Sequence, residues 1–226
     1  MRRFVIAGKA SKHLKHFVSI GGTGSLHLDP TDHTTTACDL RSFWLAYRRA
    51  VADSETATYH MEERIGFDSP GAKGMRAYRE ARKAILCGKG SEQDREVVTE
   101  AEKQVLESED FCPDIPLAAR ASYSFFDGDR SWEWTFVSPP ARYVPGPRTG
   151  EYRVVEDVVP LAAGDGKDGN EFDGRLLGIS AADLAVAIAD EIERKERVHG
   201  HWSAVGRVES EGQYSNYARL KQLVRR

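Results

Sequence analysis

HFVSIGGTGSLHLDP, residues 16–30, decides how the rest of the chain is read. Phe17, Val18 and Ile20 make a short aromatic and β-branched run that Gly21 and Gly22 end, the pattern of a buried strand entering a turn. A strand ending in glycines is also how a phosphate-binding loop begins. The spacing argues against one here. G-x-G-x-x-G is absent, and Leu-His-Leu-Asp-Pro after Ser25 does not open a helix whose N–H groups could hold a pyrophosphate. No strand ending in Asp or Glu follows about 20 residues later to take a ribose, and no Gly-Lys-Ser/Thr is present. The stretch reads as a glycine turn at the carboxyl end of a strand. That is where open parallel sheets bind ligands, and where a missing side chain lets a cofactor approach the backbone.

Working outward, Phe4 to His13 read as the end of a helix and Leu26 to Cys38 as a polar loop. Residues 39–66 read as one helix, with Leu40, Phe43, Trp44, Tyr47 and Val51 on one face, Asp39 as N-cap and Gly66 as stop. A second helix, 72–90, ends at Gly88. A third, 91–110, opens with a Ser91/Asp94 capping box. Residues 39–112 are thus a helical block with a polar outer face. Beyond the break at FCPDIP, 117–126 is a short helix, Trp134 to Val137 a strand stopped by Pro139 and Pro140, and Tyr152 to Val159 another strand. Residues 175–180 and 201–206 are short strands. Between them lies a helix capped by Ser180, its box completed by Asp183, with Leu184, Ile188 and Ile192 on one face. The basic stretch 214–226 reads as a frayed helix. Strands alternating with helices argue for an α/β sheet.

Composition narrows the function classes. The 226 residues suffice for one large domain or two small ones; 40% are hydrophobic and 30% charged. The net charge is −3 with both signs interleaved, so neither nucleic acid nor an anionic membrane is expected as partner. Three scattered cysteines make no disulfide framework, and no segment approaches a signal peptide or the ~20 apolar residues of a membrane span. A cytoplasmic protein is expected. His13 and His16, and His199 and His201, read as surface histidines without a carboxylate or cysteine cluster, so no metal is expected. No Gly-x-Ser-x-Gly elbow exists, and Cys87 and Cys112 have no evident base, which argues against a nucleophilic hydrolase.

HFVSIGGTGSL (16–26), WEWTFVSPPARYVPGPRTGEYRVV (132–155) and GISAADLAVAIADEIE (178–193), in this order, resemble the atypical short-chain dehydrogenase/reductase family, its NmrA-like NAD(P)-binding branch in particular. The resemblance covers residues 14–26 and about 130–206 and leaves out the helical block. It implies an α/β, Rossmann-like, doubly wound parallel sheet with residues 1–38 as the start of the core at the fourth-strand region, 39–112 as a helical insertion and 113–226 as the C-terminal part of the core. In that family the matching glycine turn ends the fourth strand. About 70–80 residues, three βα units carrying the phosphate loop, would precede it, so the chain is expected to be N-terminally truncated relative to the family.

The function implied is that of an NAD(P)-dependent oxidoreductase, reducing or epimerising a small molecule with NADP or NAD as cofactor. The alternatives are a non-catalytic NAD(P)-sensing regulator and a remnant that binds no cofactor. Gly21, Gly22 and Thr23, with Ser138, Pro139 and Pro140, would border the cofactor, and Tyr143 would face the substrate. Pro139 and Pro140 also simply end a strand, and Tyr143 also reads as a core aromatic. The family's Tyr-x-x-x-Lys pair is matched only by Tyr217 and Lys221, out of place near the end of the chain, so no catalytic residue is assigned. The missing pair favours the sensor over the enzyme, and the missing phosphate loop favours the remnant over both. The helical block would cover the pocket or provide a face for a homo-oligomer.

Overall fold

The computed structural model describes residues 1–208. In chain order these form α1 (Arg2–Ala10), β1 (Phe17–Ile20), β2 (His27–Asp29), β3 (Asp32–Thr36), α2 (Arg41–Ala52), α3 (Glu55–Ile65), α4 (Pro70–Leu86) and α5 (Glu92–Glu107). There follow α6 (Asp114–Tyr123), β4 (Trp134–Val137), β5 (Arg142–Val144), β6 (Tyr152–Glu156), β7 (Gly178–Ser180), α7 (Ala181–Arg194) and β8 (His201–Gly206). The expected helix over 214–226, with Tyr217 and Lys221, lies outside the described residues.

The main sheet has the order β1-β4-β8-β6. β1, β4 and β8 are parallel, with Phe17 opposite Trp134 and Phe136 opposite His201; β6 runs antiparallel to β8. Alternate residues of one strand face opposite sides, and here both sides are covered. Trp134 and Phe136 pack with Val5 of α1 and with Phe126, which follows α6. Val137, Trp202 and Ala204 pack with Leu184 and Ala187 of α7. A mixed, mostly parallel sheet with helices on both faces is an α/β, Rossmann-like fold. A third cluster joins α2 (Phe43, Trp44, Leu45) to Leu26, Ala141, Phe172 and Leu176, so the helical block shares its core with chain on both sides of it.

Several sequence expectations are corrected. Residues 39–66 are two helices, not one. Ser54 breaks the run: its hydroxyl accepts from the Ala57 N–H and caps α3, while Thr58 donates to the Val51 carbonyl. Asp39 does not cap that helix; its carboxylate answers the Thr36 N–H and hydroxyl around a 3-10 turn. Ser54→Ala is expected to cost about 1 kcal/mol in urea unfolding, the usual value of a lost N-cap. The polar loop 26–38 is largely a β-hairpin, β2 with β3. Ile192 is 50% exposed; Ala187 and Glu191 take the buried positions of α7 instead. Ser180 does cap α7, but the Asp183 carboxylate accepts from the Thr149 and Gly150 amides and the Thr149 hydroxyl, pinning the loop before β6.

Candidate functional site

The parallel strands β1 and β4 end side by side, and the two ends are tied. The Thr23 hydroxyl donates to the Pro139 carbonyl at 2.8 Å, and the Gly21 amide to the Val137 carbonyl at 2.8 Å. The glycine turn is tightly packed. A Cβ on Gly21 would strike the Phe136 ring, and one on Gly24 would meet Cys38 Sγ at 2.6 Å and Pro116 Cβ at 2.7 Å. The proposed cofactor residues are therefore placed in two groups. Gly21, Gly22 and Thr23 are partly exposed beside Ile20, which is 61% exposed. Ser138, Pro139 and Pro140 are all buried.

Behind the strand ends runs a polar relay that the sequence did not reveal. Ser138 Oγ lies 2.7 Å from Ser25 Oγ and 2.8 Å from His201 Nε2. His201 Nδ1 lies 2.6 Å from Asp157 Oδ1. A carboxylate acceptor fixes the proton on Nδ1 and leaves Nε2 to accept from the serine. The Tyr123 ring lies 4.2 Å from the imidazole, centroid to centroid. These are the partners of a Ser-His-Asp triad, but Ser138 is fully buried, Ser25 is 1% exposed and His201 6% exposed, so no substrate reaches the hydroxyls. The relay instead joins four chain segments: the glycine turn, the end of β4, the end of β6 and the start of β8. His201 is thus corrected from a surface histidine to a core one. The other oxygen of Asp157 faces two more imidazoles, His27 and His33.

Beyond Pro140 the chain turns into β5 and lines a small cleft, open to solvent, against α2 and α3. Tyr47, His60, Met61, Arg64, Arg142 and Tyr143 line it. Tyr143 is 37% exposed and faces this space. Burial pushes the Tyr47 and Tyr143 phenols up, against the opposing pull of Arg64, so both stay protonated at neutral pH. The cleft combines two cationic side chains with phenolic donors and aromatic surface, which suits a small molecule carrying an anionic group.

The described residues do not make a complete site for a nicotinamide dinucleotide. Gly21, Gly22 and Thr23 are half-exposed, with the Phe136 ring packed against Gly21, so a flat ring could approach only the solvent side of their backbone. The turn has no place for a pyrophosphate: Cys38 and Pro116 fill the space at Gly24, the Thr23 hydroxyl is engaged, and the chain continues into a three-residue 3-10 turn, Thr23–Ser25, rather than a helix.

No family profile and no curated protein matches the sequence. Among solved structures, a provisionally assigned NADH-flavin reductase from Streptococcus pneumoniae is similar at 16% identity and TM-score 0.46, over 91% of this chain and 63% of that one. A provisionally assigned exported protein from Burkholderia pseudomallei is similar at 20% identity and TM-score 0.43, over 90% and 61%. A provisionally assigned epimerase from Bacteroides thetaiotaomicron is similar at 18% identity and TM-score 0.42, over 87% and 56%. The chain thus spans less than two thirds of the length of each. Among the described residues no helix is long and apolar enough to cross a membrane.

Proposed function

We propose that this chain is a nicotinamide-linked oxidoreductase-like protein of the atypical short-chain dehydrogenase type, NmrA-like in its branch, that reduces or epimerises a small molecule. One observation carries the reading: the continuous run Ser138 to Val144 ends β4 against the glycine turn and then walls the cleft. A ring lying on Gly21–Thr23 and a small molecule beside Tyr143 would so share one stretch of backbone. The cofactor, NAD or NADP, supplies hydride chemistry when bound. This chain's own residues hold and orient: Arg64 and Arg142 take the anionic group, and the protonated Tyr143 phenol donates a hydrogen bond to a substrate oxygen. A second reading, a binding protein without turnover, is favoured by the burial of Ser25, Ser138 and His201, which removes the described acid–base groups nearest the strand ends from substrate.

The test is a titration of the purified chain with NADH, NADPH and reduced nicotinamide mononucleotide, followed by cofactor fluorescence and thermal shift. Saturable binding of all three with affinities within about tenfold is expected, because the proposed contact is with the nicotinamide end alone. Absence of saturation by any of them would overturn the reading. A dinucleotide binding far more tightly than the mononucleotide would show a pyrophosphate grip that the described residues lack, and would overturn the one-ended mode.

A further inference from the structure

We propose that His27, His33 and Asp157 form a binding site for one divalent transition metal of the zinc type. The site stands apart from the cofactor reading and does not depend on it. Its three side chains come from β2, β3 and the residue that follows β6. His27 Nε2 lies 3.6 Å and His33 Nδ1 3.7 Å from the same carboxylate oxygen, Asp157 Oδ2. Both distances are too long for a hydrogen bond. They are close to the spacing of neighbouring ligands around a tetrahedral zinc, about 3.3 Å for metal–ligand bonds near 2.0–2.1 Å. The ligand atoms of all three residues lie within 4.8 Å of one another.

The surroundings organise this cluster. The carboxylate is divided between two tasks: Oδ1 accepts from His201 Nδ1 at 2.6 Å, which turns Oδ2 toward the two imidazoles. A hydrogen-bonded partner that orients a ligand in this way is the usual outer support of a metal site. Two backbone bonds fix His27 against Asp157: the His27 amide donates to the Asp157 carbonyl at 2.9 Å, and the Val159 amide to the His27 carbonyl at 2.8 Å. Asp157 itself has φ 58°, a left-handed backbone that a non-glycine residue adopts at a cost and that is concentrated at functional sites. His27 is almost buried, with its side chain 12% exposed, and its Nδ1 has no hydrogen-bond partner. The His27 ring stands edge-on to the His33 ring, with centroids 5.3 Å apart, which holds the two imidazoles together beside the carboxylate. His33 is 68% exposed and opens the cluster to solvent, leaving a further coordination position for water or a ligand. Two imidazoles and a carboxylate suit zinc and its first-row neighbours and do not suit calcium or magnesium, which take oxygen ligands.

The experiment uses the full chain, stripped with EDTA and then titrated with Zn2+ in competition with a chromogenic chelator. Binding of one Zn2+ per chain is expected, and His33→Ala and Asp157→Asn are each expected to weaken it by about tenfold or more. Neither change should unfold the chain, because His33 is exposed and Asn at 157 keeps both the left-handed backbone and an amide oxygen to accept from His201. Thermal unfolding in EDTA verifies this. Visible absorption of Co2+ added to the unaltered chain gives an independent reading, with tetrahedral d–d bands expected. The absence of saturable Zn2+ uptake, or uptake that survives both substitutions, overturns the site.

Discussion

Gly24→Ala is expected to destabilise the chain by about 3 kcal/mol in urea unfolding with no ligand present, the upper range for an overpacked core. The new methyl group would sit 2.6 Å from Cys38 Sγ, 2.7 Å from Pro116 Cβ and 2.8 Å from the Pro116 carbonyl oxygen. Those neighbours lie on different segments, one on the 3-10 turn before α2 and one on α6, so relief requires moving both. Gly22→Ala is the control. Its Cβ would meet only Ala119 Cβ, at 3.3 Å, and Gly22 has an extended backbone that any residue adopts, so a cost below about 1 kcal/mol is expected. If Gly24→Ala instead kept full stability and lost only NADH binding, the glycine would serve a ligand and not the packing. The comparison separates the two reasons a strand can end in glycines.

The second large effect is expected at Arg49. Its guanidinium bridges Glu102 of α5, through two bonds of 2.9 and 2.6 Å, and Asp173, at 2.7 Å in the loop before β7. The side chains are 12%, 15% and 9% exposed. Arg49→Met would leave Asp173 buried without its cation and Glu102 with only Arg82, at 3.9 Å, and the Tyr78 hydroxyl, and a loss of about 3 kcal/mol is expected. The effect has a pH signature. Burial alone would raise the Glu102 carboxyl, but hydrogen bonds from Arg49 and Tyr78 hold it below its ordinary range. A carboxyl depressed in the folded state stabilises fully above its unfolded value, about 4.3, and the gain is lost as pH falls through the folded value. The unaltered chain should therefore lose stability on acidification through that window, and Arg49→Met should show a flatter profile there. Equal slopes in the two proteins would show that Arg49 is not what depresses Glu102. Because α2 also carries Tyr47 and walls the cleft, the same substitution should loosen the candidate ligand site.

Much of the fold was legible because local chemistry and tertiary structure agree. The run from Phe17 to Gly22, the Ser91/Asp94 box and the Ser180 cap act within a few residues of sequence, and each stands where its pattern places it. The hairpin was illegible for a physical reason. Asp32–Thr36 carries polar residues on both faces, so no apolar alternation marks it. The split at Ser54 was missed because the apolar face that marks the helix ends at Val51, inside α2, while the stop was read only at Gly66. Of the site, Tyr143 was brought forward by the resemblance alone, and the elements it lies against, α2 and α3, come together only through tertiary packing. His201 and Asp157 were not legible: the pair is 44 positions apart, and nothing near either residue announces the other.

The tie between Thr23 and Pro139 closes a loop of 116 positions, and this sets the order in which the chain can assemble. Closure entropy grows with loop length and is met before any contact across the loop repays it. Helices α2 to α5 lie inside the loop and pack largely on one another, so their mutual contacts close at a lower entropic cost than the tie and shorten the distance it must span. During synthesis at about 5–20 residues per second, β1 would wait on the order of ten seconds for β4 to emerge. Through that interval it is an unpaired apolar strand. Lys12 and Lys15, just ahead of it, place charge where self-association would begin, as gatekeeper residues do beside aggregation-prone segments.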